Sequence, residues 1–119
     1  MAAYSTIKER RDYLSVAKTG YRWVTPSFVV QVKPAEGDNA PESLPRFGIT
    51  ATKKVGNAVT RNRAKRRLRE LIRLHLSAEA NPGWAYVIIA RQTDTAVQFD
   101  KLIRDGKWAM AKLHARYGV

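Results

Sequence analysis

The sequence predicts a small two-layer α+β sandwich, organised as one domain over residues 1–119, and three observations predict it. Two runs rich in β-branched residues, SFVVQVK at 27–33 and RFGITAT at 46–52, have the length and composition of strands. A continuous apolar run, WAYVIIA at 84–90, fits a strand covered on both faces. Segments with helical spacing begin, interrupt and end this series. By size scaling, a chain of 119 residues buries roughly two thirds of its unfolded surface, enough for a hydrophobic core without staples.

The elements follow in order. Thr6-Ile-Lys-Glu9 matches a capping box and Gly20 a helix stop, which places a first helix over residues 7–18. Tyr21-Arg-Trp23 reads as a short additional strand. In the run 27–33, Phe28, Val30 and Val32 alternate toward the core, Gln31 points the other way, and Pro34 ends the run. The connection PAEGDNAPESLP, with three prolines, a glycine and three acids, reads as an exposed hairpin connection to the run 46–52. A helix then extends from near Ala58 to about Ala80, where Asn81-Pro-Gly83 stops it. After the apolar strand, Thr95-Ala-Val-Gln98 forms a second capping box. Phe99, Leu102, Ile103, Gly106, Met110, Leu113 and Tyr117 recur at helical spacing and define a terminal amphipathic helix. The order is α-β-β-(β)-α-β-α, with no repeat and no low-complexity tract.

Composition narrows the function. The chain has no cysteine, which excludes disulfides and thiolate metal sites and suits a reducing compartment, so a cytoplasmic location is expected. No apolar run approaches the ~20 residues of a membrane span. The opening MAAYSTIKERRDYL lacks the apolar block of a secretory signal, so a soluble, unprocessed chain is expected. The 22 basic and 10 acidic residues leave a net charge of +12. Nine of the basic residues fall between Lys53 and Arg73 against the single acid Glu70, so this window carries +8 while the other 98 residues share +4. Such a patch attracts phosphate, in nucleic acid or in lipid headgroups. Lipid is disfavoured, because an interfacial helix needs bulky Trp or Phe among its basic residues and this segment has neither.

The stretch KKVGNAVTRNRAKRRLRE (53–70) holds the candidate site. At about 100° per residue, Ala64, Leu68, Leu71, Ile72 and His75 share one arc and pack on the sheet. Arg66, Arg69 and Arg73 lie on one flank, and Arg63 and Arg67 on the far side. Arg61 and Asn62 emerge at the helix N-terminal end. An arbitrary charge run is most often a solvated helix face, but here Arg61, Arg63 and Lys65 oppose the macrodipole, and Arg63/Arg67 and Lys65/Arg69 add repulsion at i,i+4. Violated local rules mark functional sites. The Gly56-Asn57 turn, with Lys53 and Lys54 upstream, offers amides to an anion. No helix-turn-helix, zinc finger or zipper spacing is present, so RNA is favoured and no DNA partner is expected.

These residues carry a resemblance. Lys53-Lys54-Val55-Gly56-Asn57-Ala58-Val59, then Arg61-Asn62-Arg63, Lys65-Arg66 and Arg69-Glu70, closely resemble the signature of the bacterial ribonuclease P protein subunit, with its "RNR" core. The likeness extends to RRDYLSVAKTG (10–20), to Phe28-Val-Val30, to Arg46 and Gly48, to VIIAR ending at Arg91 and to the last helix. It implies a protein that pairs with a large catalytic RNA, the holoenzyme removing the 5′ leader of precursor tRNA while the RNA performs the chemistry. It also implies a left-handed parallel β-α-β crossover, which general topology rules disfavour. Carried over residue by residue, Lys53, Lys54, Arg61, Asn62, Arg63, Lys65, Arg66 and Arg69 form the RNA-facing set. Tyr13 and Gln31 match the leader cleft between the first helix and the sheet. Tyr13 is equally a helix residue packed on the core, and Ala17 stands where some relatives carry a second cleft aromatic.

No catalytic residue is expected on this chain. Its acids are scattered, and neither His75 nor His114 has a partner at metal-ligand spacing, so a two-metal nuclease site is not legible. No metal or other cofactor is expected on the protein alone, Mg²⁺ entering with the RNA and precursor tRNA. The alternative is a ribosomal or chaperone-type RNA-binding protein of similar size and charge.

Overall fold

The computed structural model describes residues 4–34, 44–91 and 97–118. Five strands form one mixed sheet: β1 (Ser5–Thr6), β2 (Arg22–Val24), β3 (Phe28–Pro34), β4 (Arg46–Thr50) and β5 (Trp84–Ala90), in the order β1-β4-β5-β3-β2. Three α-helices accompany them, α1 (Arg10–Lys18), α2 (Ala58–Leu71) and α3 (Phe99–Tyr117), and a π-helical turn, Ile72–Leu76, prolongs α2. The architecture is α+β, as predicted.

The continuous apolar run is the central strand. β5 pairs antiparallel with β3 and parallel with β4, so that Gly48, Val87 and Gln31 lie in one row across the sheet. Its alternate faces differ: Tyr86 and Ile88 enter one core and Ala85 and Val87 another. This central position corrects the expected hairpin between β3 and β4. The two strands flank β5 rather than each other, because a strand apolar on both faces gains most burial when it is inserted between them. Residues 35–43 of that connection lie outside the described residues.

The first helix starts later than its capping box predicts. Ser5 and Thr6 instead add a short parallel strand to β4, with the Ser5 N–H donating to Pro45 O at 2.9 Å and the Ile7 N–H to Phe47 O at 2.8 Å. Ile7 is buried, and α1 begins only at Arg10, after an N-cap Glu9 that makes no side-chain cap bond. Ladder bonds and the burial of Ile7 outweigh one local cap. At the other end, Gly20 follows α1 with φ +74°, as the stop requires.

The long basic helix departs from a 3.6-residue repeat in its last turns. The Ser77 N–H bonds to Ile72 O at 2.9 Å, an i→i−5 step that shifts the phase of the helix. Leu76 thereby takes the core position expected for His75, which is half-buried with its ring 6.2 Å from that of Phe99. α3 packs closely over this turn at Gly106, where a Cβ would lie 2.9 Å from a Leu76 methyl. The apolar series of α3 is buried as predicted, through Leu102, Gly106, Met110 and Leu113. Its N-cap is Gln98 without a side-chain cap bond, and Thr95 of the expected capping box lies outside the described residues.

The two faces of the sheet carry unequal cores. Seventeen buried residues, among them Phe28, Val30, Val32, Phe47, Leu68, Leu71 and Tyr86, lie between the sheet and the layer of α2, the π turn and α3. On the other face, among the described residues, the buried cluster under α1 is Ile7, Val16, Ala85 and Val87, with Tyr13 and Ile89 partly buried against it.

Candidate nucleic-acid interface

The N-terminus of α2 is built by the residues that precede it. Asn57 is the N-cap, its Oδ1 accepting from the Thr60 N–H at 2.9 Å. Val55 is buried in the large core and anchors the turn. The Val55 and Gly56 N–H groups donate to Thr52 O (3.0 Å) and Lys53 O (3.2 Å). The Gly56 amide, one of those expected to face an anion, is therefore engaged within the turn. The side chains of Lys53 and Lys54 are exposed at this turn.

Ala64, Leu68 and Leu71 seat α2 on the sheet, which leaves its charges outside. Asn62, Arg63, Arg66 and Arg69 are exposed. Arg61 is half-buried and donates to Gly56 O at 3.3 Å, so it braces the turn as well as carrying charge. Lys65 is half-buried too. Two arginines outside the predicted set are committed to the protein: Arg67 donates to Val97 O, and Arg73 forms a forked pair with Glu70 at 2.9 and 3.3 Å. The hydrogen bond from Arg73 holds the Glu70 carboxyl below its usual value against an opposing desolvation, with the Arg73 charge adding to the lowering. The one acid of the helix is thus neutralised within the protein, and the remaining cations face outward.

Two concavities flank this ridge. One, of about 270 Å³, opens at the β1/β4 edge, where Lys65 and Arg69 meet Tyr4, Tyr13 and Phe47. The other, shallower and of about 680 Å³, runs from Lys53 and Lys54 past Ile89 to Arg91. Tyr13 lies between the small core and an open concavity. Its hydroxyl donates to Ile7 O at 3.1 Å and its ring packs on the small core, yet the ring also forms a wall of the first concavity. It lies so close over β4 that a Cβ on Gly48 would come within 2.6 Å of the ring, so the absence of a side chain there admits the tyrosine.

Gln31 is on the α1 face, since Val30 and Val32 on either side of it are in the large core. Tyr13 over Gly48 and Gln31 mark two ends of the row Gly48–Val87–Gln31, two strand spacings or about 10 Å apart. Ala17 is exposed on α1. The next row, Thr50–Ile89–Val29–Val24, is one that sequence reasoning missed. Its residues are half-buried, or in Val24 48 % exposed, because a nine-residue helix is too short to cover them. The β-branched outward positions of these strands were the available signal. They form an apolar shelf leading to Lys53, Lys54 and Arg91.

The arrangement is therefore a basic ridge beside an open, partly apolar sheet face. Among the described residues no group of three or more His, Asp or Glu side chains is placed to hold a metal ion. The family model described as Ribonuclease P matches residues 1–114 of the chain. The chain belongs to the ribonuclease P protein family. The ribonuclease P protein component of Ruegeria pomeroyi is 47% identical over 112 residues, which cover 93% of this chain and 87% of that protein. That of Paramagnetospirillum magneticum is 37% identical, over 96% of this chain and 86% of that protein. In three dimensions the ribonuclease P protein of Staphylococcus aureus aligns with a TM-score of 0.71 and 25% identity, over 90% of this chain and 93% of that one. The Thermotoga maritima ribonuclease P protein aligns with a TM-score of 0.68 and 28% identity, over 85% and 90%. The chain is thus a subunit of a ribonucleoprotein endoribonuclease, and its partner is RNA. The ribosomal and chaperone alternative gives way to this assignment.

Proposed function

We propose that this ribonuclease P protein subunit grips the catalytic RNA with the ridge of α2 and guides the 5′ leader of precursor tRNA along the α1 face of the sheet. The observation that carries the proposal is the division of the molecule: exposed cations on one layer, an uncovered apolar shelf on the other. Lys53, Lys54, Asn62, Arg63, Arg66 and Arg69 are solvent-facing and suit phosphate contacts, with Lys65 and Arg61 half-buried at their edge. A single strand suits the shelf, whose width accepts stacked bases and whose end carries Lys53, Lys54 and Arg91. Tyr13 offers one ring edge to that strand and Gln31 an amide. The RNA performs cleavage, with Mg²⁺ held by RNA phosphates, and the protein contributes positioning and charge neutralisation. No described helix is long and apolar enough to cross a membrane, and the reading places the protein in the bacterial cytoplasm with its RNA.

Reconstitution tests this reading. The protein with a bacterial ribonuclease P RNA at low Mg²⁺ restores leader removal, and the protein alone cleaves nothing. Arg63→Ala and Arg66→Ala each shallow the log–log salt dependence of RNA binding by roughly one unit. Both are cleaner probes than Arg61→Ala, which also removes the brace to Gly56. Tyr13→Ala weakens precursor tRNA in preference to mature tRNA; equal losses for the two would remove Tyr13 from the leader path.

A further inference from the structure

A second basic surface lies on α3, well separated in sequence from the RNR segment. Arg104, Trp108 and Lys112 follow one another at i, i+4 and i+8 and therefore share one face of the helix. Arg104 and Lys112 are exposed, and the indole between them is 44 % exposed. Lys107 and Arg116 are exposed beside them. The acids of this helix do not balance these charges. Asp105 accepts from Ser27 Oγ at 2.7 Å and pairs with Lys101 at 3.5 Å, and Asp100 stands in the first turn.

The edge strand β2 completes the surface. Trp23 meets Trp108 edge-to-face with ring centroids 5.5 Å apart, and Tyr21 stacks on Tyr117 at 4.5 Å. The Arg116 guanidinium sits 5.6 Å over the Tyr117 ring. Two aromatic pairs thus run along a seam bordered by cations. The seam is rigidly held, since Thr25 Oγ1 closes the β2–β3 turn by donating to Phe28 O at 2.7 Å, and Ser27 ties that turn to Asp105. A large exposed indole fixed from below and flanked by two cations on one helix face is suited to stack an unpaired base while the cations hold its phosphates.

We infer that the α3–β2 seam is a second RNA-docking surface, with Trp108 as a base-stacking platform between Arg104 and Lys112, and that its occupant is the catalytic RNA. The inference rests on the reading of α2 as the ridge that faces that RNA. α2 and α3 form one layer on the same face of the sheet, in contact at Gly106, whereas the proposed leader path lies on the opposite face. A large folded RNA seated on α2 can extend over α3 within the 37 × 31 × 27 Å body of the protein. A short leader strand on the α1 side does not.

The test uses the full chain and a bacterial ribonuclease P RNA. Arg104→Ala/Lys112→Ala is expected to shallow the log–log salt slope of binding by roughly 1.4–1.8. Trp108→Ala is expected to weaken binding about tenfold, and Trp108→Phe, which keeps a stacking ring, by much less. Trp108 emission is expected to be quenched on RNA addition, a change that Trp108→Phe abolishes. These side chains are exposed, and the double variant, which leaves the aromatic seam intact, keeps the test readable if Trp108→Ala disturbs packing. Unchanged slope and affinity in the double variant, with Arg63→Ala and Arg66→Ala still effective, would overturn the second surface and leave the α2 reading standing. Failure of the α2 variants as well would overturn the reading beneath it. Losses confined to precursor tRNA carrying a leader, with binding of the catalytic RNA intact, would overturn the assigned occupant.

Discussion

The two faces of the sheet divide the work of the molecule. Toward α2 and α3, buried residues from three strands, two helices and the π turn make a continuous core, closed by Phe47 stacked on Tyr86 at 4.8 Å. Toward α1, four buried residues suffice, and Val29 and Ile89 are left half-covered. Hydrophobic burial is roughly proportional to apolar area removed from water, so the thick side supplies most of the fold's stability. The thin side is released from that duty. It can expose an apolar shelf and a tyrosine held by one hydrogen bond without endangering the fold. The basic ridge follows the same logic, since repulsion among cations on α2 is tolerable on a helix anchored by Ala64, Leu68 and Leu71.

The largest effect expected from breaking this asymmetry is Leu68→Ala in the thick core, which should cost about 2–5 kcal/mol in denaturant unfolding, against roughly 1–2 kcal/mol for Val16→Ala under α1. Comparable losses at the two sites would erase the distinction. Tyr86 sharpens it through pH. Burial pushes its phenol up to about 12, partly offset by the Asn81 N–H that donates to its oxygen at 2.9 Å. The unfolded chain ionises near the ordinary value of about 10 while the folded chain does not, so this contribution is whole below pH ~10 and is lost as pH rises toward ~12. About 3 kcal/mol is at stake for a shift of that size, and Tyr86→Phe should flatten this part of the alkaline stability curve.

On the thin side, Gly48→Ala forces a Cβ to within 2.6 Å of the Tyr13 ring, which must swing away. We expect a loss of about 1–3 kcal/mol and weaker discrimination for leader-bearing substrate, with most of the stability loss relieved in a Tyr13→Ala background. An additive double mutant would show that the ring does not rest on Gly48. The smallest effect is Tyr13→Phe, which removes the bond to Ile7 O and should cost about 0.5–1.5 kcal/mol while leader preference persists. Lost preference at unchanged stability would mean that the hydroxyl, rather than the ring, contacts the substrate.

Much of this was legible from particular residues. WAYVIIA, apolar on both faces, read as a central strand and is one, and the phase of Leu68 and Leu71 turned the arginines of α2 outward. What misled were local signals overridden by distant partners. Thr6-Ile-Lys-Glu9 has capping-box chemistry, but Ser5 and Thr6 found a ladder on β4, some forty residues away. His75 lay on the predicted core arc until the π turn moved Leu76 into its place. The basic face of α3 was not legible in the sequence, because its cations are spaced about one per turn and only folding sets them beside Trp23 of β2.

By itself the sequence determined where charge and apolar surface accumulate, since periodicity and composition are properties of neighbouring residues. Only the tertiary structure decided that β5 separates β3 from β4, that Tyr13 rests on Gly48, and that one sheet face stays open. Those outcomes depend on which distant segments pair and how far a nine-residue helix reaches across them, and no local pattern encodes either.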